Sequence, residues 1–176
     1  MRCSEPGHRV QVAIHTCRGP GRWVFRRCYP SPMNHAKLQH SDSWLLISVT
    51  YASQDTPTAS LTDIIAAADY INHAIITRGE LETGFARLVT AGHVAKTADG
   101  FSVSDAVKSF WQTTGSKQRQ PLRAWDAVAT FIGAAAWAPG PLPDTIEERY
   151  VTCTDYEAAV EAYQQRMQPK KKPKKK

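Results

Sequence analysis

Residues 77–94 read TRGELETGFARLVTAGHV. Thr77 and Glu80 stand three apart, the spacing of a capping box in which each side chain satisfies the other residue's unpaired amide. Leu81, Phe85, Leu88 and Val89 then recur at helical spacing and make one apolar stripe. Gly92 is a natural stop, because glycine readily takes the left-handed conformation that ends many helices. The chain runs on into HVAKT, a turn over ADG and FSVS, which predicts a short β-hairpin with Asp-Gly at its turn. A capped helix, a glycine and a hairpin follow one another without a linker.

Working outward, SDSWLLISVTYAS at 41–53 offers Ser41 or Ser43 as the N-cap of an apolar helix of about three turns. Pro57 breaks the chain, and LTDIIAAADYINHAII follows with Leu61, Ile64, Ile65, Ala68 and Ile71 at helical spacing and Ser60 as the cap. Downstream of the hairpin, Ser104 can cap a helix over DAVKSFWQ. TTGSKQRQ, 113–120, reads as a polar linker. A second amphipathic stretch then carries Leu122, Trp125, Val128, Ala129 and Ile132. PGPLP at 139–143 is a rigid break. A last helix is expected from Thr154, with Glu157 completing a capping box and Tyr156, Val160, Tyr163 and Met167 as its stripe. The aromatic residues Trp125, Trp137, Tyr156 and Tyr163 supply apolar area for packing on the first helix or on a second copy.

The charge is unevenly distributed. The chain carries +6 overall, yet residues 170–176, KKKPKKK, hold six lysines and no acid. Residues 1–32 hold six arginines against Glu5, a net +5. These ends together exceed the total, which leaves −5 for residues 33–169. Residues 1–32, with four prolines, three glycines and little periodicity, are expected to be a disordered basic arm, or an extension upstream of a start at Met33. Cys3, His8, His15, Cys17 and Cys28 offer the residue types of a zinc site, but gaps of thirteen and ten residues between the cysteines lack the close ligand pairs of a structural zinc site, and the disordered arm is the expected reading. No apolar run approaches the ~18 residues of a membrane span, and no continuous apolar segment marks a secretory signal. A cytoplasmic protein that does not bind membranes is expected.

The order helix, helix, helix, hairpin over 41–112 resembles a winged helix-turn-helix domain, carried by DIIAAADYIN, ELETGFARLVTAGHV and the hairpin around ADGFSVS. The nearest likeness is to small uncharacterised bacterial winged-helix proteins. The resemblance implies a mainly α fold with a small β-hairpin, a winged helix-turn-helix plus C-terminal helices. The divisions are a basic arm (1–32), a winged-helix-like domain (41–112), a linker (113–120), a C-terminal helical extension (121–168) and a polylysine tail (169–176). It also implies that the helix over 78–91 is the recognition helix, whose face opposite Leu81, Phe85 and Val89 carries Glu80, Thr83, Arg87 and Thr90.

The resulting functional expectation is a non-enzymatic protein that contacts DNA, such as a transcriptional regulator. Thr83, Arg87 and Lys96 would supply selectivity, and Lys170, Lys171, Lys172, Lys174, Lys175 and Lys176 a weak, non-specific affinity. The rival expectation is a winged-helix interaction or dimerisation module, using the acidic surface and the C-terminal helices to hold a protein partner or a second copy. No catalytic residue, metal ligand or cofactor is expected. Asp69 and His73, four apart, could share a proton, but a hydrogen bond or helix cap is the simpler role. Cys153 reads as a small packed residue.

Overall fold

A computed structural model describes residues 37–136 and 148–168, which belong to one compact unit. The N-terminal arm, Trp137, the PGPLP break and the lysine tail lie outside the described residues. The elements are α1 (His40–Ala52), α2 (Leu61–Asn72), α3 (Arg78–Thr90), β1 (Val94–Thr97), β2 (Gly100–Val103), α4 (Asp105–Thr113), α5 (Pro121–Phe131) and α6 (Cys153–Met167). The fold is mainly helical with one two-stranded antiparallel hairpin.

α1 has no polar face to present, and residues 42–50 are all buried. It is the axle of the fold, with α2, α3 and α5 packed around it, and its buried Ser48 and Thr50 return their hydroxyls to the Trp44 and Leu46 carbonyls. It begins at His40, earlier than either serine cap. The Asp42 carboxylate accepts the Gln39 N–H at 2.7 Å and so takes the capping role. Ser43 instead serves packing: its hydroxyl accepts from Trp125 Nε1 at 2.7 Å, which fixes α5 against α1.

The capping spacings at 60 and 77 form as written. Ser60 Oγ accepts from Asp63 N, and Thr77 and Glu80 close their reciprocal box. α2 runs to Asn72 and ends on His73 in the left-handed conformation, with φ 51°. The connection to α3 is therefore short, and its Ile76 is buried. On α3, Leu81, Phe85 and Leu88 are wholly inside, while Val89 lies at the margin. Gly84 is where α3 comes closest to α1: a Cβ there would stand 2.7 Å from Leu45 Cδ2.

Hairpin register pairs Val94 with Val103 and Thr97 with Gly100, so the turn proper is Ala98-Asp99. Gly100 belongs to β2, and its role is close approach, because a Cβ there would lie 2.3 Å from the Ala59 carbonyl oxygen. Ala59, between α1 and α2, exchanges both backbone hydrogen bonds with Phe101 and adds a single third rung beside β2. Phe101 stacks on Phe85 with centroids 3.8 Å apart, tying the hairpin to α3.

Several C-terminal expectations shift. Residues 113–120 include the last residue of α4 and a 3-10 turn at Gly115–Lys117, with Gly115 buried beneath the Trp111 ring. α5 faces the core with Ala124 and Val128, while Leu122, placed on its stripe by periodicity, is 58% exposed. α6 starts at Cys153, and its cap is Thr152, which accepts from Asp155 N two residues before the expected cap at Thr154. Thr152–Asp155 and Thr154–Glu157 offer the same spacing, and the earlier one places Tyr163 and Ala159 inward while leaving Met167 exposed. α6 packs on α2, where the Tyr163 hydroxyl donates to the Asp69 carboxylate.

Candidate nucleic-acid interface

α3 and the hairpin are where base-reading residues were expected, so the polar groups there are traced one by one. Thr83 donates its hydroxyl to Gly79 O at 2.7 Å, within its own helix. Thr90 does the same to Ala86 O. The outward strip of α3 is thus Thr83, Ala86 and Thr90, small, uncharged and internally satisfied.

Arg87 does not point outward. Its Nε and Nη2 donate to the two oxygens of Asp42, both at 2.7 Å, and the Asp42 side chain is 1% exposed. A guanidinium fork matched to a carboxylate in this way is a strong, geometrically fixed pair. Its partner is the residue that caps α1, so one carboxylate fixes the start of one helix and the end of another. Lys96 is also occupied: its Nζ donates to Tyr150 O at 2.9 Å and approaches Arg149 O at 3.4 Å. Thr83, Arg87 and Lys96 are the three residues expected to supply selectivity. Each spends its polar group on the body itself. The six tail lysines lie outside the described residues.

Glu82, on the flank of α3, is buried. Its carboxylate accepts the backbone N–H groups of Arg149, Tyr150 and Val151 at 2.6–2.9 Å. A buried carboxylate is tolerable when successive amides solvate it in this way. The 149–151 segment is thus held from both sides, with α3 accepting its amides and Lys96 donating to its carbonyls. Arg78 and Glu148 add an ion pair at 3.4 Å, and Arg149 lies over the Tyr150 ring. One sequence signal did exist. Glu82, Phe85 and Val89 are spaced i, i+3, i+7, so Glu82 flanks the apolar stripe.

The Asp69–His73 pair does not form a site. His73 is an exposed helix C-cap whose amide donates to Asp69 O, and the Asp69 carboxylate is taken by Tyr163. Burial raises the Asp63 pKa, but the Ser60 hydroxyl and the Arg166 guanidinium outweigh it and leave the carboxyl below its ordinary value. Burial alone holds the His93 imidazole below its ordinary value. Among the described residues, no group of three or more His, Cys, Asp or Glu side chains is arranged to hold a metal ion. No described helix is long and apolar enough to cross a membrane. Compared with known proteins, the chain matches no family model, no curated protein and no solved structure.

Proposed function

We propose that this chain is a non-enzymatic, cytoplasmic protein of winged-helix type that contacts DNA through phosphate charge, without base reading by α3. The observation that carries the reading is the separation of charge. Six lysines without an acid stand at 170–176, while residues 33–169 carry a net −5. Such a run binds polyanions by releasing their counterions and carries no sequence preference. The order helix, single rung at Ala59, helix, helix, hairpin supports the winged-helix part of the reading. The engagement of Arg87 by Asp42 and of Lys96 by the 149–150 carbonyls argues against those two as base readers.

A mobility-shift titration against salt tests this. Six phosphate contacts contribute roughly −5 to the log–log slope, and replacing the six tail lysines by glutamine is expected to make the slope shallower by about that amount. A slope that the replacement leaves unchanged overturns the tail mechanism.

The second reading, an interaction or dimerisation module, is favoured by one feature. Thr83, Ala86 and Thr90 follow one another at spacings of three and four along α3, half-buried to exposed and without charge, and so suit close approach of another chain. Light scattering and pull-down decide here: a concentration-independent monomer that recovers no partner removes this reading.

A further inference from the structure

The lysine tail gives affinity but no orientation, which raises the question of where on the folded body a phosphate backbone could lie. We propose that the connection between α4 and α5 together with the first turn of α5, with Lys117, Arg119 and Arg123 as contacts, is a docking strip for the phosphate backbone of duplex DNA. This rests on the DNA reading above and extends it to the folded part of the chain.

The first argument is where the paired cations are. Arg78, Arg87, Lys108 and Arg166 form ion pairs, Lys96 holds backbone carbonyls and Arg149 covers a tyrosine ring. Among the described residues, the side chains of Lys37, Lys117, Arg119 and Arg123 are exposed and enter no hydrogen bond or ion pair. Three of these four fall within seven residues of one another. Charge left unpaired on a folded surface remains available to an outside phosphate, at no cost in broken internal bonds.

The second argument is charge segregation. Residues 106–125 hold four cations and no carboxylate. The remainder of 33–169 then carries −9, since the whole stretch is −5. The two acids that border the segment are exposed: Asp105 pairs with Lys108 at 3.3 Å and Asp126 lies 3.8 Å from His40, which leaves Lys117, Arg119 and Arg123 as the segment's unpaired cations. A polyanion approaching the body is repelled over most of it and attracted here, which orients the encounter.

The third argument is that the strip is held in place. Gly115 sits so close to Trp111 that a Cβ would stand 2.2 Å from its ring, so only glycine lets the chain pass. The 3-10 turn at 115–117 follows, with Gln118 N donating to Gly115 O at 3.1 Å. Pro121 then opens α5 with its φ already set for a helix. The three cations hang on a fixed backbone, unlike the tail lysines, so less chain entropy is lost on contact. Gln118 and Gln120 between them add uncharged donors of the kind that position a phosphate backbone.

The test uses the full chain and a short duplex of arbitrary sequence, titrated by fluorescence anisotropy over a range of sodium chloride. With tail and strip both engaged, the parent slope is expected at roughly −8. The triple variant Lys117→Gln, Arg119→Gln, Arg123→Gln should be shallower by roughly 2.7, and Arg119→Gln alone by roughly 0.9. Lys37→Gln, an exposed cation outside the strip, should leave the slope where it was. An unchanged slope in the triple variant overturns the strip while the tail reading stands. An equal effect of Lys37→Gln also overturns it, because the charge would then act without location. Absence of any duplex binding by the parent overturns both readings. If the triple variant loses binding to phosphatidylserine vesicles while its duplex slope is unchanged, the strip belongs to an anionic membrane surface and the inference fails. A lowered melting temperature in the triple variant shifts the readout to the single variants, whose slopes are judged the same way.

Discussion

α3 with its hairpin and the α4–α5 connection hold the same kinds of charged residue and use them in opposite ways. Around α3, Arg87, Glu82 and Lys96 all turn inward: to Asp42, to the amides of 149–151 and to the carbonyls of the same segment. On the connection and the first turn of α5, Lys117, Arg119 and Arg123 turn to solvent. Residue type alone does not separate the two cases. The difference is what surrounds each backbone. α3 lies between α1 and the 149–151 segment, so a charge on its flanks must find a partner or be expelled. The connection has Trp111 beneath it and water above. The teaching is that a helix resembling a DNA reader can have its charges committed to holding its neighbours, while the available charge lies elsewhere.

The sharpest way to break this contrast is to remove a carboxylate on one side and a cation on the other. Asp42→Ala leaves the Arg87 guanidinium facing a buried position and deprives Gln39 N–H of its acceptor. Breaking a buried pair from one side typically costs about 3–5 kcal/mol, read as a lowered denaturant midpoint. Arg119→Gln, at an exposed site without partners, should change stability by less than ~0.5 kcal/mol. Equal losses in the two variants would show that the regions do not differ as described.

A smaller effect tests whether the 149–151 segment depends on α3. Glu82→Gln preserves shape but exchanges a charged acceptor of three amides for a neutral group with one acceptor oxygen. Hydrogen bonds to charged groups are worth about 1.5–3 kcal/mol, and a loss of that order is expected. The more specific readout is local: amide exchange at Arg149, Tyr150 and Val151 should quicken more than exchange in α2. Uniform acceleration across the body would mean that Glu82 supports the whole fold without latching that segment.

Much of this organisation was legible in the sequence, and the reasons for the rest are physical. Local signals worked: Ser60, the Thr77–Glu80 box and the Leu81–Phe85–Leu88 stripe depend on residues within one or two turns, and all three form. Long-range partnerships were invisible. Arg87 lies 45 residues from Asp42, and Lys96 lies 54 from Tyr150, so helical geometry alone marked them as outward. Periodicity also failed at helix ends. Leu122 and Met167 lie beyond the neighbours that would cover them, although both fit their stripes. Gly100 read as a turn residue by its Asp-Gly dipeptide, and its actual requirement, the passage of Ala59, arises only once the third rung is in place.

The weakest expected effect lies where the two regions meet. His93 opens the hairpin, and its ring stands 6.1 Å from that of Phe131 at the end of α5. Burial lowers its pKa in the folded state, so the unfolded chain takes up a proton first as the pH falls. The stabilising contribution of the neutral ring is present above the unfolded value of about 6.5 and is lost as the pH drops from there through the lowered folded value. Asp63 is lowered as well, but its contribution is lost only as the pH falls below the ordinary carboxylate value of about 3.8, beneath the pH range that reads His93. Denaturant midpoints between about pH 7 and about pH 5 should therefore decline in the parent and decline less in His93→Asn. Identical slopes in the two proteins would place the pH dependence on other groups and leave the hairpin–α5 junction without a role in it.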